Sequence, residues 1–182
     1  MLNIISVFTQ WVQGTDLFTA LRTSWWVYPI VMSTHLLGIA LFGGLILMTN
    51  LRLLGLVMTK YSVTDVVAQL RWPKRVGFVI VATCGILMLG SKAEEYSYNI
   101  FVWIKLSLLA LVFIHGWVFR RSVYYNTAAI DRAPEIPGRV KLAATLSLLL
   151  WAGIACAGRG IGYIDPPLSK IHAGIMSPAQ PE

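Results

Sequence analysis

The chain has 182 residues, of which 57% are hydrophobic and only 13% charged, and its mean hydropathy is +0.68. A soluble domain is nearer half apolar and a quarter charged, so these figures exclude an ordinary water-soluble fold and point to an integral membrane protein. The net charge of +7 is gathered between apolar runs, where membrane topology puts cations, and this argues against a nucleic-acid-binding surface.

From Leu2 to Leu21 apolar residues recur at helical spacing with polar ones between, which predicts an interfacial amphipathic helix within residues 1–22. The opening stretch has no basic region ahead of an apolar core, which argues against a cleaved signal peptide. A four-span transmembrane bundle is predicted over residues 23–163. The first span runs from about Trp25 to Leu51, with Pro29 tolerated in its opening turn. The second, from about Val76 to Gly90, is short for a span and needs a thin bilayer or covering neighbours. The third runs from about Asn99 to Phe119 and the fourth from about Val140 to Ala157. A glycine-rich end (Gly158, Gly160, Gly162) then leads to Asp165-Pro166-Pro167, and residues 164–182 are predicted to be an extramembrane tail. The fold class is therefore an all-α, membrane-embedded four-helix bundle. Cys84 and Cys156 both fall inside spans and read as small buried hydrophobes.

Loop charge sets the expected orientation. The first connection carries Arg52, Lys60, Arg71, Lys74 and Arg75 against Asp65. The third carries Arg120, Arg121, Arg132, Arg139 and Lys141 against Asp131 and Glu135. The second, with Lys92, Glu94 and Glu95, is net acidic. The positive-inside rule then places connections one and three in the cytoplasm of a bacterial inner membrane and both termini in the periplasm. Trp25, Trp26, Tyr28, Tyr96, Tyr98, Trp103 and Tyr163 would form an aromatic belt at the outer interface.

Three titratable side chains interrupt the spans: His35, Lys105 and His115. Such groups are costly at membrane depth and mark functional sites by default. At 1.5 Å rise per residue, counted from Arg52 or Arg120, His35 lies roughly 25 Å, Lys105 roughly 22 Å and His115 roughly 7 Å above the inner edge. His35 and Lys105 can share one level, whereas His115 belongs to the inner leaflet. Bis-histidine haem ligation across two helices needs both imidazoles at nearly one height, so His35 with His115 fails and His35 with Lys105 passes. Gly38 and Phe42 lie on the stripe of His35, with Gly43 close by, and glycines there admit a flat macrocycle or a neighbouring backbone. Each residue has a second reading. His35 could instead donate to Thr83 or Thr145 between helices. Lys105 could snorkel to headgroups, and His115 could face solvent or headgroups. In the tail, His172 with Met176 is a weak candidate for copper.

Ser33-Thr34-His35-Leu36-Leu37-Gly38, Asn50-Leu51-Arg52-Leu53-Leu54-Gly55 and Phe101-Val102-Trp103-Ile104-Lys105-Leu106, with the later His115-Gly116, resemble the CopD/HemJ-like group of bacterial membrane proteins. The similarity covers most of the chain from Trp25 to Trp151 and is nearest to an uncharacterised family of small four-span members. In the HemJ branch a first-span His and a third-span Lys are associated with b-type haem and protoporphyrinogen oxidation. The resemblance implies that role for His35 and Lys105, and a match for His115 in the segment where a His follows the Lys. Arg52 stands where that branch has a Pro-Arg-Leu stretch, here without the Pro. CopD-like copper proteins generally carry more Met and His than this chain's six and three.

The leading expectation is a cytochrome b-like membrane protein that moves electrons between an outer-face donor and quinone or a partner subunit. His35 would be an axial ligand of haem b iron, and Lys105 the opposite ligand or a propionate partner. Gly38, Phe42, Arg52 and His115 would complete the cofactor surroundings. The alternatives are a non-catalytic subunit or scaffold, a protoporphyrinogen oxidase-like enzyme and, distantly, copper handling. Four spans make a small bundle, so a partner chain or homo-oligomer in the bilayer is expected, and no nucleic acid.

Overall fold

A computed structural model of the protein describes residues 2–163, and every regular element among them is helical. The tail, with His172 and Met176, lies outside the described residues.

The predicted N-terminal helix is two helices, α1 (Leu2–Gln13) and α2 (Asp16–Thr23). The break falls at Gly14-Thr15, where Thr15 is extended and Asp16 opens the next helix with a favourable charge in its first turn. α3 (Val27–Leu53) and α4 (Val63–Ser91) follow, then the short α5 (Ala93–Ser97) and α6 (Ile100–Phe119). A single π-helical turn, Arg120–Tyr124, continues α6, closed by the Tyr125 N–H donating to the Arg120 carbonyl at 3.0 Å. α7 (Thr127–Arg132) and α8 (Gly138–Ile161) complete the fold. α3, α4, α6 with its π turn, and α8 are each long and apolar enough to cross a membrane. By length and composition this is a multi-pass helical membrane protein.

Two spans are longer than the sequence suggests. α4 begins at Val63, so Arg71, Lys74 and Arg75 lie on a helix and not in a loop. At 29 residues it is roughly 43 Å long, well beyond the ~30 Å hydrocarbon core, so its cationic first half can stand at headgroup depth. Pro73 forfeits one backbone bond inside it. α8 runs through Gly158 and Gly160 to Ile161, and Gly160 leaves the space that Phe101 of α6 fills.

α3 packs along α4, α6 along α8, and α8 also against α3. Glycines set these approaches. A Cβ on Gly38 would meet Val81 at 3.0 Å, one on Gly77 would meet Phe42 at 3.1 Å, and one on Gly153 would meet Leu108 at 3.2 Å. All four spans meet halfway down in one aromatic layer. Phe42 of α3 meets Phe78 of α4 at a tilt (6.1 Å) and Trp151 of α8 edge-on (5.4 Å), and Phe78 meets Phe113 of α6 edge-on (6.1 Å).

The best-buried apolar cluster lies at one end of the bundle. There Leu53, Val63, Val67, Val123, Ile130 and Val140 close α3, α4, α7 and α8 together. At the other end, α1 and α2 lie across the spans. Gln10 donates to the Glu94 carboxylate at 3.1 Å, the Glu94 N–H donates to Gln13 Oε1 at 3.0 Å, and the Phe18 ring covers Gly90. Val7, Phe8 and Trp11 remain exposed on α1. Cys84 is buried as expected, whereas Cys156 is exposed, and both are free.

Candidate functional site

α3 carries His35 in its upper half, buried against α4. A Cβ on Gly85 would stand 3.2 Å from its Cε1, and the Val81 backbone carbonyl is hydrogen-bonded to the ring. Nδ1 is buried and has no hydrogen-bond partner. Thr83 and Thr145 are both exposed, so neither serves the imidazole. Lys105 of α6 lies within Coulombic reach of His35. Its Nζ is 3.7 Å from the position of a Cβ on Gly158, so a larger residue of α8 would crowd the ammonium. Among the described residues no carboxylate answers the Lys105 charge, and the ion pair they show is Lys92–Glu95 at 3.4 Å. Helix rise from the sequence predicts one shared level for His35 and Lys105; the structure puts the ammonium within electrostatic range of the imidazole, with no direct bond between them.

The other four predicted residues go elsewhere. Gly38 is spent on the close approach of Val81, and Phe42 belongs to the aromatic layer. Arg52 lies at the far end of α3, where its Nε and Nη2 donate to the Tyr61 carbonyl at 3.1 and 2.7 Å. It clamps the α3–α4 connection. His115 Nε2 bonds the Ala143 carbonyl of α8 at 2.9 Å, and its ring leans on Phe119. His115 is thus a tie between α6 and α8, where the sequence alone suggests a solvent- or headgroup-facing group. His115→Leu should lower thermal stability by about 1 kcal/mol, the size of an interhelical hydrogen bond in a membrane. An unchanged melt in detergent would show that the bond contributes nothing.

Below the aromatic layer lies a second polar cluster that sequence reasoning missed. Asn50 Nδ2 donates to the Ile46 carbonyl and to Ser147 Oγ at 3.1 Å, and Tyr124 is also hydrogen-bonded to Ser147. Asn50 Oδ1 is buried without a partner. The polar face of α3 was readable in Thr49-Asn50, but its partner 97 residues on was not. Missed too was Asp131, whose carboxylate accepts from the Val63 N–H (2.6 Å), the Thr64 N–H (3.0 Å) and the Thr64 hydroxyl (2.7 Å). It caps α4 alongside Ser62, which accepts from the Asp65 N–H. Beside it a cavity of about 400 Å³ is lined by Arg52, Asp131, Glu135 and Lys141 among others.

Residues 8–164 match DUF6644, a family of unknown function. The chain belongs to this family. Neither the curated proteins nor the solved structures hold a match to it. The matched range takes in His35, Lys105, the aromatic layer and the Asp131 cap, so the whole described bundle is the family's unit. Among the described residues no three His, Cys, Asp or Glu side chains converge on one point.

Proposed function

We propose that this DUF6644 protein is a membrane subunit that binds b-type haem at the His35–Lys105 pair. It would pass electrons between a donor at one face and quinone or a partner subunit. One observation carries the reading: a buried imidazole nitrogen without a partner feels the charge of an ammonium that has no counter-charge among the described residues, and both sit in helices apolar enough to span a membrane. Unsatisfied polar atoms and uncompensated charges are costly in lipid, and a ligand bearing a metal and a carboxylate would satisfy both. The donor set fits haem b, with His35 toward the iron and Lys105 toward a propionate. Gly38, Gly77 and Gly85 are taken up by helix contact, the last against the His35 ring itself, whereas Gly43 and Gly44 of α3 face open space, so room for a macrocycle would have to come from outside the α3–α4 seam. Haem would supply a one-electron couple. The chain's part is to hold and desolvate it, with the aromatic layer closing the space below. The resemblance to the CopD/HemJ-like group supports the same pair.

Orientation follows in the same reading. Trp25, Trp26, Trp103 and Tyr163 are exposed where α3 and α6 begin and α8 ends, as a belt at the outer interface would be. The cationic end would then face the cytoplasm of a bacterial inner membrane, and α1 would lie at the outer interface with Val7, Phe8 and Trp11 in lipid.

The full chain purified from haem-replete cells should be red. It should give a pyridine haemochrome and a reduced-minus-oxidised Soret difference, both lost in His35→Ala, with Lys105→Met retaining less haem. A colourless wild type sinks the proposal. The runner-up is a non-catalytic scaffold, favoured by the glycine contacts and the His115–Ala143 tie. It predicts a colourless protein in which His35→Ala costs only about 1 kcal/mol. A protoporphyrinogen oxidase-like activity would use the same pocket, and rescue of a strain lacking that step by wild type but not by His35→Ala distinguishes it.

A further inference from the structure

On the cationic side of the bundle, α4 and the π turn enclose a second cavity of about 180 Å³. It is lined by Arg71, Lys74, Arg75, Val67, Tyr124 and Tyr125, with no carboxylate on its wall. At ~30 Å³ per water, the space holds about six water-sized groups, enough for a tetrahedral oxyanion of five heavy atoms. Arg71, Lys74 and Arg75 fall within five residues of one helix, and like charges so close repel. A fourth cation, Arg120, stands over the Tyr125 ring at 5.0 Å and donates from Nη2 to its hydroxyl at 3.1 Å. Arg71 and Arg75 make no hydrogen bond or ion pair with the described residues, and Lys74 donates to Thr49 Oγ1 at 3.1 Å. The protein therefore gathers three cations on the wall of one hollow, with Arg120 behind Tyr125, and no carboxylate among the described residues pairs with them. The π turn contributes independently. Its Tyr124, hydrogen-bonded to Ser147, and the following Tyr125, whose hydroxyl accepts from Arg120, both line the hollow, and π turns are often found at functional sites. Trp72 and Trp117 are 70% and 77% exposed on the same stretches of α4 and α6, as residues at headgroup depth are.

We infer that the hollow between α4 and the π turn binds a phosphate oxyanion, and that its source is the headgroup of an anionic phospholipid. Guanidinium groups present paired donors to phosphate oxygens, and the phenols add neutral donors. The aromatic flank and the apolar spans below would keep the acyl chains in lipid. The site lies beyond the aromatic layer from His35 and Lys105, and stands apart from any haem.

The test is native mass spectrometry of the full chain in mixed micelles, using phosphatidylglycerol, phosphatidylcholine and inorganic phosphate as probes. Wild type should retain phosphatidylglycerol in preference to phosphatidylcholine. Arg71→Gln/Arg75→Gln should bind it about 20- to 30-fold more weakly, and Arg71→Lys/Arg75→Lys should hold an intermediate amount. Arg132→Gln/Arg139→Gln, which removes two cations of the same end that do not line the hollow, should bind as wild type does. Equal retention of the two lipids, or equal loss in both glutamine pairs, overturns the site. Displacement of phosphatidylglycerol by equimolar inorganic phosphate overturns the lipid assignment. Folding is checked by the melt of each variant, which these exposed substitutions should leave intact.

Discussion

Gly160→Leu should destabilise the protein by about 2–3 kcal/mol, the cost of forcing extra volume into a filled contact. Even a single Cβ at this position would lie 2.6–2.8 Å from three ring carbons of Phe101. These are atoms at the base of a stiff ring, so the ring has to swing out of the α6–α8 seam or the helices have to part. Next along the same seam, Lys105 lies over Gly158 and Leu108 over Gly153, so the disturbance spreads toward the proposed site. Phe101→Ala in the same chain should restore at least half of the loss, because it removes the group that leucine strikes. Thermal unfolding of the four-member cycle in one detergent measures this. Additive losses, with no rescue, would mean that the two side chains do not meet.

Asp131→Ala should cost about 1–2 kcal/mol, the range for losing a helix cap, and its effect should depend on pH. The carboxylate accepts three hydrogen bonds at the start of α4 and adds a negative charge at that helix's positive end. Burial alone pushes its carboxyl up. The bonds from Thr64 and Val63, helped by the Arg52 charge, outweigh this and hold it below the ordinary aspartate value. The folded chain thus takes up this proton less readily than the unfolded chain. The stabilisation is complete above the ordinary range, about pH 4, and drains away as pH falls through the lowered value. Wild type should lose its advantage over Asp131→Ala on that acid limb, and Asp131→Asn should show a flatter acid profile. A constant gap between wild type and Asp131→Ala down to pH 2 would refute the cap's charge dependence.

Four spans could be read from apolar length alone, because lipid forbids unpaired backbone and so turns long apolar runs into helices. Helix rise from the arginines that end their spans gave His35 and Lys105 one expected level, and the electrostatic influence of Lys105 on the imidazole is consistent with it. What could not be read was set by distant partners. The extension of α4 back to Val63 depends on a cap supplied from Asp131, 68 residues away. Without it, the cations of residues 71–75 look like a loop. Arg52 and His115 look like ligands because their types are ligand types, yet both are satisfied by backbone carbonyls that carry no sequence signature. Gly38 was ambiguous for the same reason: a glycine permits close approach without naming the visitor, and here the visitor is Val81.

The ring layer of Phe42, Phe78, Phe113 and Trp151 is a chain of tilted and edge-on contacts that links all four spans. Phe42 belongs to two of those contacts, so a turn of α3 against α4 or α8 would break both at once, and the layer fixes the rotation of three spans together.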